Sequence, residues 1–150
     1  MNRRDALKTA LFASIGIMAG CHADDNQALA EEIADTLLPT TAGSPGAKAA
    51  GAGAAMNLIL TDCYTPAQQR AFRDGLEHFR AAHFLERSRA EREAFVRSVG
   101  KEAWFAPVRD LALGAYFSSE IGMTRALRYV RVPGKYVGCM PLAPGQPAWA

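Results

Sequence analysis

Residues 104–117, WFAPVRDLALGAYF, carry apolar side chains all the way round when they are drawn as an α-helix. A helix that is apolar on every side is normally buried, so we expect this one at the centre of the fold. Pro107 is compatible with a helix only in its first turn, which places the start of the helix close to that residue. The apolar positions are Trp104, Phe105, Val108, Leu111, Leu113, Tyr116 and Phe117.

Two capping boxes precede this stretch and predict the starts of two further helices. Thr65-Pro66-Ala67-Gln68 combines an N-cap, a proline at the first helical position and a glutamine that can reach back to the cap. Ser88-Arg89-Ala90-Glu91 repeats the pattern, and Gly100 is expected to end the helix that it opens. The first of these helices places His83 in line with Phe79, and we interpret His83 as a core residue rather than a metal ligand.

Earlier in the chain, a first helix is predicted from Asp24 or Asp25 to just before Pro39. A second is predicted from residue 47 to about residue 62, after a loop rich in glycine and proline. Its front, residues 49–55, is AAGAGAA, which either approaches another backbone closely or stays loosely ordered until something packs on it.

A last short helix is expected to run to Tyr129, and residues 131–150 read as extended, with four prolines and no periodicity. The predicted fold class is therefore all-α, a small helical domain with an extended Pro/Gly-rich C-terminal arm. The length of 150 residues suits one such domain, and 49% hydrophobic with 21% charged residues excludes a polytopic membrane protein and a disordered polyelectrolyte.

The first 20 residues are interpreted as an export signal, and residues 21–150 as the single domain. Arg3, Arg4 and Lys8 form a basic head, and no charge follows from Thr9 to Gly20. This apolar stretch is too short for a transmembrane helix, which takes about 20 residues. The pair Arg3-Arg4 is similar to the twin-arginine (Tat) signal, which exports proteins that have already folded. An ordinary secretory signal with two adjacent arginines is the alternative.

Cys21 follows Met18-Ala19-Gly20, a pattern similar to a bacterial lipobox. In that interpretation the signal is cut before Cys21 and the thiol carries a lipid that attaches the protein to a membrane. The alternative is cleavage near Ala23, which releases a soluble periplasmic protein. In either case the predicted location is the periplasm.

The net charge of +2 combines segments of different charge. Residues 1–20 carry three basic side chains and one acidic side chain, so residues 21–150 are neutral. Within them, residues 21–124 carry 10 basic and 14 acidic side chains, and residues 125–150 carry four basic side chains and no acidic one. Such a division indicates a docking surface near the C-terminus rather than binding to nucleic acid.

Signatures of catalysis and of cofactors are mostly absent from the sequence. Gly51-Ala52-Gly53 begins like a dinucleotide-binding motif, but Met56 stands in the place of the third glycine. We therefore predict no catalytic, cofactor or metal site in this chain. Cys63 and Cys139 would be in an oxidising compartment after export, where we expect them to form an internal disulfide. Two free buried thiols, or a bridge to a partner protein, are the alternatives.

Four stretches resemble the small subunit, subunit 3, of gluconate 2-dehydrogenase. The most extensive similarity lies between Gly114 and Cys139, and the Tat-like start and the closing Ala148-Trp149-Ala150 are also similar to that family. The four stretches are residues 60–64 (LTDCY), 114–122 (GAYFSSEIG), 126–129 (ALRY) and 133–139 (PGKYVGC).

The resemblance implies a supporting role in a complex of three subunits. The partners would be an FAD-containing catalytic subunit of the glucose-methanol-choline type and a cytochrome c with haem, and this chain would carry no cofactor. It would assist maturation and Tat export of the catalytic subunit. The residues expected to contact the partner are Arg125, Arg128, Tyr129, Arg131 and Tyr136, for which a solvated basic face is the alternative.

A different class of function also fits the sequence. The chain could act alone as a periplasmic lipoprotein that binds a ligand or another redox enzyme.

Overall fold

The computed structural model describes residues 25–132, 134–135, 138–139, 141 and 143–149. The described part is helical and contains no strand, which confirms the predicted all-α class. Its five α-helices are α1 (25–37), α2 (Ala52–Cys63), α3 (Pro66–Ala81), α4 (Arg89–Ser98) and α5 (Ala106–Phe117). A 3-10 turn (Phe84–Glu86) lies between α3 and α4, and a π-helical turn (Gly122–Ala126) follows α5. Within the described ranges, no helix is both long enough and apolar enough to cross a bilayer.

Helix α5 packs against α2 and α3, as expected of the central helix. It begins at Ala106, so Pro107 lies in the first turn, where its missing N–H costs no hydrogen bond. The prediction of burial on all sides was wrong at the C-terminal end, where Phe117 is 37% exposed. The buried residues of α5 are Val108, Leu111, Ala112, Ala115 and Tyr116.

Both predicted capping boxes are present. The Gln68 backbone N–H donates to Thr65 Oγ1, and the Thr65 backbone N–H donates to Gln68 Oε1 at 2.9 Å. At α4 the Ser88 backbone N–H donates to Glu91 Oε2 at 2.8 Å. Since these bonds satisfy backbone donors that the first helical turn leaves free, the local sequence alone sets where α3 and α4 begin.

Helix α2 begins five residues later than the sequence predicts. Gly51 has a φ of 65°, in the left-handed region, so a helix cannot continue through it and residues 47–51 form turns instead. Gly53 lies against α1, where a Cβ atom would come within 2.7 Å of Glu31 Cβ. The small residues at the front of α2 therefore permit close approach to another backbone, the first of the two alternatives.

The interpretation of His83 as a core residue was wrong. Helix α3 ends at Ala81, and His83 has a φ of 50° with a side chain that is 72% exposed. Because the chain leaves the helical path before His83, helical spacing no longer predicts the direction of this side chain. The histidine that packs is His78, which stacks on Trp104 at a ring distance of 4.2 Å.

The loop between α1 and α2 is fastened to α5 by one buried tyrosine. The Tyr116 hydroxyl donates to the Pro45 carbonyl oxygen at 2.5 Å, and Ser44 Oγ lies 2.6 Å from the same hydroxyl. Tyr116 is the next-to-last residue of α5, so this bond also fixes the place where the C-terminal part of the chain leaves the helical body.

Candidate partner-binding surface

A tight turn directs the chain away from the end of α5. The Leu127 backbone N–H donates to the Gly122 carbonyl oxygen at 3.0 Å, which is the i to i−5 bond of a π-helix. A Cβ atom at position 122 would lie 2.0 Å from the Tyr116 carbonyl oxygen, so only glycine fits there. Ser119 Oγ accepts from the Gly122 backbone N–H at 2.9 Å and completes the turn.

Beyond this turn the chain is joined to residues close to its own C-terminus. The Arg128 backbone N–H donates to the Ala148 carbonyl oxygen at 2.7 Å, within an isolated parallel bridge between Arg128 and Trp149. The Arg128 guanidinium carbon lies 4.1 Å from the centroid of the Trp149 ring, a cation–π contact. These contacts place the indole of Trp149 beside the basic residues that follow α5.

Large apolar side chains are exposed in the same region. Among the described residues, four of the six exposed ones follow position 116. We call the following set the C-terminal surface: Phe117, Arg125, Arg128, Tyr129, Arg131, Val132 and Trp149. Val132 is 78% exposed, Tyr129 is 47% exposed and Trp149 is 43% exposed, so this surface presents apolar area to solvent beside positive charge.

The arginines of the C-terminal surface are exposed, and none of them forms an ion pair with an acidic side chain that the structure describes. Four of the five residues predicted to bind a partner therefore lie on one exposed segment. The fifth, Tyr136, lies outside the described residues. The contribution of Trp149 to this surface was not predicted, although the sequence analysis found the closing Ala148-Trp149-Ala150 similar to the family.

Several charged residues of the helical body, in contrast, form ion pairs with one another. Arg92 Nη1 lies 2.6 Å from Glu32 Oε2, and Lys48 Nζ pairs with the other carboxylate oxygen of Glu32. The hydrogen bond from Lys48 holds the pKa of Glu32 below its usual value, and the charge of Arg92 acts in the same direction. Arg92 also donates to the carbonyl oxygens of Phe84 and Leu85, so this cluster joins α1 to α4 and to the 3-10 turn.

The structure does not show the predicted disulfide. Cys63, at the end of α2, and Cys139, in the arm, are both exposed and not bonded. The bridge therefore stays a prediction. Arg3, Arg4 and Cys21, the residues assigned to export and lipidation, lie outside the described residues. Across the part of the chain that is described, no group of three or more His, Cys, Asp or Glu side chains could hold a metal ion.

A family model described as gluconate 2-dehydrogenase subunit 3 matches residues 24–134. The match covers most of the chain, so the chain belongs to this family, and the resemblance drawn from the sequence is confirmed. The matched range includes α1 to α5 and the C-terminal surface as far as Val132, whereas Cys139 and Trp149 lie beyond it. No curated protein and no solved structure gives a significant match.

Proposed function

We propose that this member of the gluconate 2-dehydrogenase subunit 3 family is the non-catalytic small subunit of a dehydrogenase complex that oxidises a sugar or sugar acid. In this proposal it binds an FAD-containing catalytic subunit of the glucose-methanol-choline type, supports its maturation and accompanies it through Tat export. A cytochrome c subunit completes the complex. The flavin and the haem belong to these partners, and the chain itself contributes binding and positioning.

The observation that carries the proposal is the exposed C-terminal surface. The members of this family are subunits of a dehydrogenase complex, so a surface that binds another subunit is expected. Tyrosine, tryptophan and arginine are the residue types that carry most of the binding energy at protein interfaces. Here Tyr129 and the arginines lie exposed within residues 125–131, Trp149 is in contact with Arg128, and the arginines have no acidic partner among the described residues. A partner with an acidic patch around an apolar centre would complement this surface in both charge and hydrophobicity.

The proposed route of export depends on the first residues of the chain. Arg3-Arg4 would direct the precursor to the Tat system, which accepts folded proteins, and a bound catalytic subunit would be carried with it. Lipidation of Cys21 would then hold the complex at the periplasmic face of the membrane. The alternative of a lipoprotein that acts alone predicts the same export without a bound flavoprotein.

Co-purification tests the proposal directly. The full chain, tagged after residue 150 and expressed in its own cells, should recover a protein with the absorbance spectrum of FAD. Replacing Arg125 and Arg128 together by alanine should lower this recovery about tenfold or more, since loss of residues of this type commonly costs 1–2 kcal/mol of binding free energy each.

A matched control separates the surface from the overall charge. Arg70 and Arg97 are also exposed, lie on α3 and α4, and form no ion pair with a described acidic residue. The double change Arg70→Ala with Arg97→Ala alters the net charge equally and should leave recovery of the flavoprotein unchanged. Equal recovery with both double variants would contradict the role of the C-terminal surface, and recovery of no flavoprotein by the unchanged chain would favour the lipoprotein that acts alone.

A further inference from the structure

A groove of about 300 Å³ opens between α1, α2 and α3, and no residue of the C-terminal surface lines it. Its floor is apolar and belongs to the hydrophobic core, because the five apolar residues that line it are all buried. These floor residues are Ala30, Met56, Leu60, Phe72 and Leu76. The rim consists of Asn26, Gln27, Asn57, Thr61, Gln69 and Arg73, with Gly53 at the α1–α2 contact.

The rim is almost uncharged, which distinguishes this face from the rest of the helical body. Arg73 is the one ionisable residue that lines the groove, and residues 52–61 of α2 contain none. The exposed residues of α3, in contrast, include Arg70, Asp74 and Glu77. A charged occupant would lose hydration in this groove without gaining a buried counter-charge, so the groove favours an uncharged, apolar one.

The chain itself contains such a segment a few residues before α1 in the sequence. Residues 9–20 carry no charge, and Leu11, Ile15 and Met18 recur at the spacing that places them on one face of a helix. The described structure begins at residue 25, and Asn26 and Gln27, one and two residues further on, form part of the rim. Only residues 21–24 lie between the apolar segment and the first described residue, and four extended residues span about 14 Å at most.

We propose that, in the uncleaved chain, residues 9–20 bind in this groove through Leu11, Ile15 and Met18. A short tether gives the segment an effective concentration in the millimolar range, so weak apolar contacts are sufficient for binding. The segment is thereby shielded from water and from other chains before export, and its removal leaves the groove open. The binding does not depend on the C-terminal surface, because no residue of that surface lines the groove.

Photo-crosslinking in the full chain tests this. With benzoylphenylalanine in place of Ile15, illumination of the uncleaved protein from cell-free synthesis should yield intramolecular crosslinks to Met56, Leu60 or Phe72, identified by mass spectrometry. Asn57→Arg places a long charged side chain on the rim and should lower the yield about tenfold, equivalent to 1.4 kcal/mol. Ala54→Arg is the control, because Ala54 is exposed on the same helix but does not line the groove.

Crosslinks from Ile15 to residues outside the groove would overturn the proposal, as would an unchanged yield in Asn57→Arg or an equal loss in Ala54→Arg. Mixing isotope-labelled with unlabelled chains shows whether the crosslinks join separate copies of the protein. If most of them do, the proposal is overturned in favour of self-association. The double change of Arg125 and Arg128 to alanine should leave the crosslinks unchanged, so failure of this inference and failure of the proposed function are distinguishable.

Discussion

The helical body, residues 25–117, and the segment after it, residues 118–149, use the same residue types for different purposes. In the body, Phe79 is fully buried and contacts Phe84, Phe95, Trp104 and Phe105 at ring distances of 5.0 to 5.6 Å. After residue 117, Trp149 is 43% exposed, and its aromatic face is in contact with the Arg128 guanidinium. Aromatic residues thus build the core of the first region, apart from the exposed Phe117 at its end, whereas Tyr129 and Trp149 of the second lie open to solvent.

The two regions also differ in the ion pairs that their charged side chains form, although some arginines of the body, such as Arg70 and Arg97, form none with a described acidic residue. In the body, Glu32 binds both Lys48 and Arg92, and further ion pairs lie on α3, α4 and α5. In the later segment Arg125, Arg128 and Arg131 form no ion pair with a described acidic side chain. The contrast teaches that the body uses ion pairs to join its own elements, whereas the arginines of the later segment stay exposed without a described acidic partner.

The largest expected effect separates the two aromatic environments. Phe79→Ala should lower the free energy of unfolding by about 3–5 kcal/mol, because it empties the centre of the aromatic cluster. Trp149→Ala should lower it by about 1 kcal/mol or less, because it removes a partly exposed ring and one cation–π contact. Urea unfolding of the full chain followed by circular dichroism measures both. Similar losses in the two variants would break the distinction between the regions.

A smaller effect is expected where α3 and α5 touch. A Cβ atom at Gly75 would lie 2.7 Å from Val108 Cγ2 and 2.9 Å from the Trp104 carbonyl oxygen, so Gly75→Ala should cost about 1–3 kcal/mol. Gly114 lies on α5 with nothing within 4 Å of a Cβ atom, so Gly114→Ala should stabilise the helix by up to about 1 kcal/mol. Thermal unfolding midpoints of the two variants test this. Equal decreases in both midpoints would show that the close approach of helices at Gly75 is not the cause of the destabilisation.

The pH dependence of the free energy of unfolding should reflect the ion pairs that Glu32 forms with Lys48 and Arg92. The pKa of Glu32 is lower in the folded chain than its ordinary value of 4.5. The contribution of Glu32 to the free energy of unfolding is therefore fully present above pH 4.5, and it is lost as the pH falls through the pKa of the folded state. Since Glu32 is partly exposed, this contribution is at most about 1 kcal/mol. The pKa of Lys48 is raised by the same bond, so its contribution is lost only at strongly alkaline pH.

Free energies of unfolding measured between about pH 6 and pH 3 test this assignment. Glu32→Gln should flatten the acid side of the profile, and Lys48→Met should flatten it as well, because the hydrogen bond from Lys48 is the largest cause of the shift. If the free energy of unfolding falls with pH in both variants as it does in the unchanged chain, Glu32 does not contribute to the acid sensitivity of the helical body.

The smallest effect is expected at His83, the one described non-glycine residue with a positive φ. It follows the end of α3, where glycine adopts this conformation without strain. His83→Gly should therefore raise the free energy of unfolding by a few tenths to about 1 kcal/mol. Denaturant unfolding measures the change, and a loss of stability would show that the weak contact between His83 and Glu86 contributes more than the strain costs.

Much of the fold follows from local sequence. The capping boxes at Thr65 and Ser88 and the position of Pro107 predicted three helix starts, because capping and proline geometry depend on residues within one turn. The start of α2 was wrong because a glycine signals conformational freedom without showing which conformation it takes, and Gly51 takes the left-handed one. His83 was misplaced for a related reason, since the exact end of a helix depends on what packs beyond it.

The candidate site was predicted in part. Charge counting located Arg125, Arg128 and Arg131, because an excess of one sign of charge is visible without a structure, whereas Tyr129 was named from the family resemblance and its residue type. Trp149 was missed because its contact with Arg128 joins residues 21 positions apart through an extended segment that has no periodicity. The π-helical turn at Gly122 was missed too, since a close approach to the Tyr116 carbonyl oxygen leaves no pattern in the sequence.

The sequence by itself therefore determined the helical class, the central position of α5, the capped starts of α3 and α4 and the basic character of the C-terminal segment. These properties depend on neighbouring residues or on composition. Only the tertiary structure decided that Tyr116 fastens the α1–α2 loop, that Gly53 and Gly75 bring helices into contact, and that Trp149 lies beside Arg128. Each of these depends on distances between residues far apart in the chain, which packing fixes and local propensity does not.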